Sequence, residues 1–335
     1  MPKDTLSIAK PDKTLLNSCA IFANDLHGLV TCGIIPSGRD LSVRIFRYET
    51  VEADEGRTVK SILRGTLGLS ATLIKRLKYH QGIFLDGESV FVDRRVQKGQ
   101  WVEARLHDED KVQEMREPVC RPVDVRYEDE DLLIVSKTAP LPSIMSAKQQ
   151  GDTLEGRMYH YFRDVPDYVY RPVNRLDKGT SGLMVIAKNG FAQQKLQKDL
   201  HSEHFVRKYQ AVVEGRLPAC EGVIDLPIAL ETPWGVKRVI REDGKKAVTH
   251  YRVLMEGNGR SVVELCLETG RTHQIRVHMA SLGCPIVGDY IYGNDADELP
   301  GRFALHSCYV SIRHPVTGAC LVCEAPFPDE LKKLV

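Results

Sequence analysis

The sequence predicts an α+β protein: a body of short strands and helices around a long central sheet, preceded by a small basic α/β module. Three observations predict it. Runs of strand character, such as Val123-Asp124-Val125-Arg126-Tyr127 and Leu132-Leu133-Ile134-Val135-Ser136-Lys137, flank an acidic turn at Glu128–Asp131. Helical spacing recurs near residues 153–162, 190–201 and 272–282, between further strand-like runs, as in a mixed sheet with flanking helices. The basic charge is concentrated: between Arg57 and Leu106 ten Lys/Arg face four Asp/Glu, a net of +6 that leaves −5 for the rest of a chain whose total is +1.

A length of 335 residues suits two domains, or one large domain with an appendage. At 42% hydrophobic and 27% charged residues, a sizeable core is affordable. No apolar run approaches the ~18 residues of a membrane span, so no membrane partner is expected. Asp4 and Asp12 among the first lysines, and Asn17-Ser18 within the first apolar patch, fit neither a signal peptide nor a transit peptide. Nine scattered cysteines argue against a secreted disulfide framework and for a reducing cytosol. Cys320-Leu321-Val322-Cys323 has no companion pair, so small buried hydrophobes on a strand are expected in place of a zinc site.

Along the chain, residues 1–43 form a leader with weak periodicity and no motif. From Arg57 the pattern sharpens. Thr58 can cap a helix that carries Val59, Ile62 and Leu63 on one side. Ser70 can cap another, with Leu73, Ile74 and Leu77 inward and Lys75, Arg76 and Lys78 outward. Gly82 can end it in a left-handed turn. Ile83-Phe84-Leu85 and Ser89-Val90-Phe91-Val92 then flank Asp86-Gly87, a hairpin signal. Residues 107–117, charged and bounded by Pro118, read as a linker to a body spanning 118–335. Two helices followed by a hairpin over 44–106 resemble the S4 RNA-binding domain. That resemblance implies that Lys75, Arg76 and Lys78, with Arg94 and Arg95, meet RNA phosphates, adding affinity without reading sequence. The alternative is a solvated basic face.

Two dense motifs carry the chemistry. The first is Arg175-Leu176-Asp177-Lys178-Gly179-Thr180-Ser181-Gly182-Leu183; the second, far downstream, is Glu268-Thr269-Gly270-Arg271-Thr272-His273-Gln274-Ile275-Arg276-Val277-His278. Together they suggest a carboxylate nucleophile kept ionised by an arginine, which needs no cofactor if it is presented dry. By itself Asp177 could be an ordinary cap acid.

From about Tyr127 to Phe327 the chain resembles the RluA-type pseudouridine synthases. The motifs recur in that family's order: Arg175-Leu176-Asp177 with Thr180-Ser181-Gly182; Lys208-Tyr209 with Ala211 and Gly215; Gly244-Lys245 with Ala247 and Thr249; Thr269 to His278; Gly288-Asp289 with Tyr292-Gly293; and Leu305-His306 with His314-Pro315-Val316-Thr317-Gly318. The resemblance implies a mixed or largely antiparallel central sheet and the isomerisation of uridine in RNA to pseudouridine, with no metal, nucleotide or redox cofactor. It implies Asp177 as nucleophile, attacking the sugar C1′ or the base, with Arg276 as its ion-pair partner. Tyr209 would stack on the uracil and assist proton transfer, and Arg175 would fill the space left by an extruded uridine. Arg271, His273 and His278 would support the site or meet phosphate. Large-subunit ribosomal RNA is the expected substrate and transfer RNA the second choice; the protein is expected to be a cytoplasmic monomer.

Three features depart from the family pattern: Asn174 stands where His is commonest, Lys137-Thr138-Ala139-Pro140-Leu141-Pro142-Ser143 replaces the usual Lys-Pro-x-Gly and later His-Pro, and the leader before Arg44 has no counterpart. Other readings fare worse. A noncatalytic RNA-binding protein would have a degraded nucleophile motif. A glycosidase needs a second acid across the bond, for which only Asp225 and Asp289 are available. A nucleotide-binding enzyme needs a Gly-rich loop after a strand.

Overall fold

The computed structural model describes residues 43–107, 118–146, 151–166 and 168–335. The expected leader and linker fall outside them. Two compact units result. One holds residues 43–107 with Phe162–Val169; the other holds residues 118–161 and Tyr170–Val335.

In the smaller unit β1 (Val43–Glu49) is followed by a short helical stretch, α1 (Val59–Ser61) running into a wide turn at Ile62–Thr66, then by α2 (Ala71–Tyr79), β2 (Ile83–Leu85), β3 (Glu88–Ser89) and β4 (Trp101–His107). The sheet order is β1-β4-β2-β3, antiparallel throughout. The Thr58 and Ser70 hydroxyls accept from the amides of Ser61 and Leu73, as their capping positions predict. Val59, Ile62 and Leu63 are fully buried, and Leu73, Ile74 and Leu77 nearly so. Lys75, Lys78 and Arg94 are exposed, and Arg76 is half-buried. Arg95 turns back to the Gly56 carbonyl.

The left-handed residue after α2 is Gln81 (φ 52°), in place of Gly82. Gly82 is needed for another reason: a Cβ there would lie 2.5 Å from the Arg105 carbonyl oxygen on β4. The hairpin forms about Asp86-Gly87, both with positive φ. Its second strand is only two residues long, and Phe91 is 83% exposed. The edge strand β1 and the inner strand β4, seven residues each, give this sheet most of its length and carry no turn signal in the sequence.

The larger unit is built on β5 (Asp124–Glu128), β6 (Leu132–Lys137), α3 (Leu154–Tyr161), β7 (Arg171–Pro172), β8 (Ser181–Ala187), α4 (Gly190–Asp199), β9 (Phe205–Glu214), β10 (Glu221–Asp225), β11 (Ile228–Leu230), β12 (Arg238–Ile240), β13 (Val248–Gly257), β14 (Arg260–Leu267), α5 (Gln274–Ser281), β15 (Leu305–Arg313), β16 (Cys320–Glu324) and α6 (Asp329–Lys332). Ten strands form one sheet in the order β10-β13-β14-β9-β15-β8-β6-β5, with β16 beside β15 and β7 beside β8. Only β15 and β8 run parallel. The expected α+β class, largely antiparallel with flanking helices, is observed. The expected helices are observed as α3, α4 and α5, each one to three residues shorter at its ends.

Burial explains the order of the strands. β8 is buried at all seven positions, as its unbroken apolar run demands of a central strand. At the edge, β5 alternates exposed and half-buried positions. The face carrying Leu132, Ile134, Leu183, Val185, Phe205, Val310 and Ile312 is covered by Ala192 and Leu196 of α4, whose Asn189 cap accepts from the Ala192 amide. Cys323 packs against this core, but Cys320 is exposed, as are Cys120 and Cys220, so the cysteines are not uniformly the buried hydrophobes expected. Among the described residues no helix is long and apolar enough to cross a membrane.

One row across the sheet sets the stage for the site: Tyr209 on β9, Ser307 on β15, Gly182 on β8 and Lys137 on β6 are successive register partners. Gly182 sits at φ +107°, and a Cβ there would stand 2.2 Å from the Ser307 carbonyl oxygen. Neither backbone can yield, because both strands are buried. Gly182→Ala is expected to cost at least about 3 kcal/mol in chemical denaturation; a loss below about 1 kcal/mol would contradict this packing.

Candidate active site

Asp177 lies on the loop between β7 and β8. Three contacts hold that loop. The Ser143 hydroxyl donates to the Leu176 carbonyl (2.6 Å) and accepts from the Leu176 amide (3.2 Å). The Leu141 amide donates to the Lys178 carbonyl, and the Phe303 amide to that of Gly179. Gly179 packs under the Phe303 ring, 3.0 Å from where a Cβ would be. The unusual 137–143 segment is therefore the floor of the loop. Asn174 is buried and its Oδ1 accepts from the Val185 amide, tying the same loop to β8.

The second motif enters through α5. His273, at φ 60°, precedes the helix. Gln274 locks the approach: its Oε1 accepts from the Thr269 hydroxyl and the Arg271 amide, and its Nε2 donates to the Val248 carbonyl and the Thr249 hydroxyl. Arg276 then projects from α5, 2% exposed, and meets two carboxylates. Its Nη1 donates to Asp177 Oδ2 (2.8 Å). Its Nε and Nη2 donate to the two oxygens of Asp289 (2.7 and 2.8 Å). The Phe303 ring lies 3.9 Å and the Tyr292 ring 5.0 Å from its Cζ. Burial opposes the charge on Arg276, but Asp289 and Asp177 more than offset this and hold its pKa above the usual value.

The two acids differ in exposure. The Asp289 side chain is fully buried and also accepts from the amides of Ile291 and Tyr292; that of Asp177 is 30% exposed. Asp177 is thus the carboxylate a substrate can reach, and Asp289 is committed to the arginine. The sequence places Asp289 in a motif without indicating that commitment.

Tyr209 is 5% exposed. Burial pushes its phenol up; the Arg207 charge opposes this and the Asp177 carboxylate adds to it, so the hydroxyl stays protonated. His273 Nδ1 shares a hydrogen bond with the Tyr292 hydroxyl (2.8 Å), whose oxygen also accepts from the Arg238 amide. Its Nε2 lies 3.8 Å from Asp177 Oδ2. Burial pulls the His273 pKa down, keeping the ring neutral, although Asp177 opposes this. Lys137, 1% exposed, donates to the carbonyls of Leu141 (2.6 Å) and Thr138 (3.2 Å); burial pulls it down to about 7 and Asp177 opposes. In the sequence Lys137 stands out only as the first residue of the variant 137–143 segment. Its cue is a lysine ending an apolar strand.

Of the other expected site residues, Arg175 is exposed beside Asp177 in sequence, and Arg271 is half-buried with its Nε on the Lys246 carbonyl. His278 does not meet solvent or phosphate: it is fully buried between the Thr249 hydroxyl and the Leu226 carbonyl. Lys75, Arg76 and Lys78 belong to the smaller unit. A further acid–imidazole group, Asp129, Asp131 and His314, lies beyond the other end of β8. Its bonds are satisfied internally: His314 Nδ1 accepts two backbone amides while Nε2 donates to Asp129 (2.7 Å).

Residues 131–281 match the family model described as RNA pseudouridylate synthase. The chain is 38% identical over 275 residues to an uncharacterized RNA pseudouridine synthase, YjbO, of Bacillus subtilis, covering 81% of this chain and 96% of that one. It is 34% identical over 265 residues to ribosomal large subunit pseudouridine synthase D of Escherichia coli K12, covering 75% and 77%. Among solved structures, human RNA pseudouridylate synthase domain containing 1 superposes with a TM-score of 0.52 at 26% identity, over 63% of this chain and 86% of that one.

The ion triad makes a stability prediction. Asp289→Asn preserves shape but leaves Arg276 with one carboxylate at the edge of the site. Breaking such a buried pair is expected to cost about 3–5 kcal/mol in chemical denaturation; a cost under about 1 kcal/mol would show that Asp289 does not carry the arginine.

Proposed function

The chain belongs to the RNA pseudouridine synthases, and from that membership we propose that Asp177 is the nucleophile of a uridine isomerisation in large-subunit ribosomal RNA. The single observation that carries the assignment is the Arg276 contact: one carboxylate, partly open to solvent, held at 2.8 Å by a buried, always-charged guanidinium. The bond fixes the carboxylate's orientation and places a permanent positive charge beside it. It attacks either C1′ or the base. The N1–C1′ bond breaks, the uracil turns and C5 bonds to C1′; the bond to Asp177 is broken again, C5 loses its proton and N1 gains one, so that product and substrate are isomers.

The neighbours support roles in that sequence. Tyr209, buried and protonated, offers a ring face to the uracil and an O–H for proton transfer. Arg175, exposed on the same loop as Asp177, suits the gap left when the uridine leaves its stack, an extrusion that costs a few kcal/mol. A guanidinium plane replaces lost stacking and adds charge. His273, its pKa lowered by burial and its Nε2 3.8 Å from Asp177 Oδ2, lines the same site.

We also propose that residues 44–106 act as an S4-like RNA-binding domain, joined through 107–117 to a catalytic domain at 118–335. Its capped helices, its Asp86-Gly87 hairpin and the exposed Lys75, Lys78 and Arg94 support this. Ribosomal RNA is favoured over transfer RNA because one relative is named for the large ribosomal subunit. The reducing cytoplasm is the compartment inferred from the cysteine pattern, and a monomer is inferred for the state of assembly.

Asp177→Asn is expected to abolish turnover, a loss of at least about 10⁴-fold, with RNA affinity within a few-fold of wild type; turnover near wild type would refute the nucleophile role. Mapping pseudouridines chemically in total RNA from cells with and without the gene then identifies the target, and loss of a site in transfer RNA alone would overturn the ribosomal assignment. Replacing Lys75, Lys78 and Arg94 together by Gln is expected to lower the slope of log affinity against log salt by about 2, with single-turnover rates at saturating RNA little changed. An unchanged slope would remove the RNA role of the basic module.

A further inference from the structure

Arg207 on β9 is 5% exposed and has no task in the site described above. Among the described residues no carboxylate lies within 4.0 Å of its guanidinium. Its Nε is buried without a hydrogen-bond partner. Its Nη2 makes one long bond, 3.3 Å, to the Leu200 carbonyl, and its Cζ lies 5.6 Å from the Phe205 ring. A buried cation with so little compensation is costly to keep, unless an anion completes it at work.

The surroundings make the same demand. His201 lies close to it across Gly270, and Arg271 is the residue after that glycine in the chain, its charge felt by His201; among the described residues neither has a carboxylate within 4.0 Å. Burial, then the charges of Arg207 and Arg271, pull the His201 imidazole below its usual value. Gly270 lies against them: a Cβ there would stand 3.2 Å from His201 Cε1 and 3.4 Å from Arg207 Nη1. The glycine brings bare backbone against this edge of the guanidinium, with no side chain between it and His201. A planar fork beside an imidazole, with a further arginine next in the chain after the glycine, matches phosphate oxygens.

We propose that Arg207, Arg271 and His201 form a binding site for one phosphodiester of the RNA substrate. The inference rests on the reading of the chain as an RNA isomerase. Arg207 and Tyr209 are two residues apart on one strand, about 7 Å, so this phosphate belongs to the same bound segment as the target base. The site takes backbone charge and carries no base readout.

The test uses full-length protein and large-subunit ribosomal RNA transcribed in vitro, with Arg207→Met and Arg207→Lys. Arg207→Met is expected to bind about tenfold or more weakly. Between about 50 and 200 mM salt its slope of log affinity should be shallower by about 0.7–0.9. Its Tm should equal or exceed that of wild type, because an uncompensated buried charge is gone. Arg207→Lys should keep the salt slope while losing affinity. A lower Tm for Arg207→Met with unchanged RNA affinity would make the arginine structural and overturn the proposal. If inorganic phosphate at matched ionic strength raises the wild-type Tm while Arg207→Met leaves RNA affinity and slope unchanged, the cluster is a free-anion site and the RNA assignment fails. Product formation by wild type is scored in parallel. No pseudouridine with an Arg207-dependent slope sinks the isomerase reading and leaves this site standing; product with an Arg207-independent slope does the reverse.

Discussion

One guanidinium shared between two carboxylates is the constraint around which the larger unit is arranged. Arg276 is 2% exposed, so its charge needs anionic partners on every available edge. Asp289 takes two of its N–H groups and fixes the plane of the fork; Phe303 and Tyr292 flank it. A single Nη remains for Asp177. A lysine could satisfy neither geometry, since an ammonium has no plane to fix. The half-exposed carboxylate is thereby oriented by a group that is itself oriented.

The backbone around the triad is held as tightly as the charges. Asp177 is on a loop, which by itself would be a poor platform for a reacting group. Ser143, Leu141 and Phe303 bind the loop on successive carbonyls and amides. Gly182 and Gly179 permit strand and ring to approach where any side chain would collide. The 137–143 segment departs from the family's usual spelling, yet it does this work through a serine hydroxyl and main-chain bonds, which many sequences can supply.

Charge in the site is graded by exposure. Asp289 is sealed, Asp177 is reachable, His273 and Tyr209 are kept neutral, and Lys137 is brought to about 7. Of the two carboxylates on Arg276, only Asp177 is open to solvent.

The amino-acid sequence by itself determined the elements with strong local causes. The buried run of β8, the caps at Thr58 and Ser70, and the Asp86-Gly87 turn follow from periodicity and backbone chemistry over a few residues. Asp177 and Arg276, which the fold brings to 2.8 Å, stand out in the sequence because their motifs are dense. Tertiary structure decided which charges meet. Asp289 is 13 residues from Arg276 and Asp177 is 99, and no local pattern states that the first is sealed and the second open. It likewise decided that His278 is a buried strut, that Gln81 rather than Gly82 turns left-handed, and that Arg207 has no carboxylate beside it among the described residues. Burial and pairing are properties of strands brought side by side, and a one-dimensional pattern does not contain those distances.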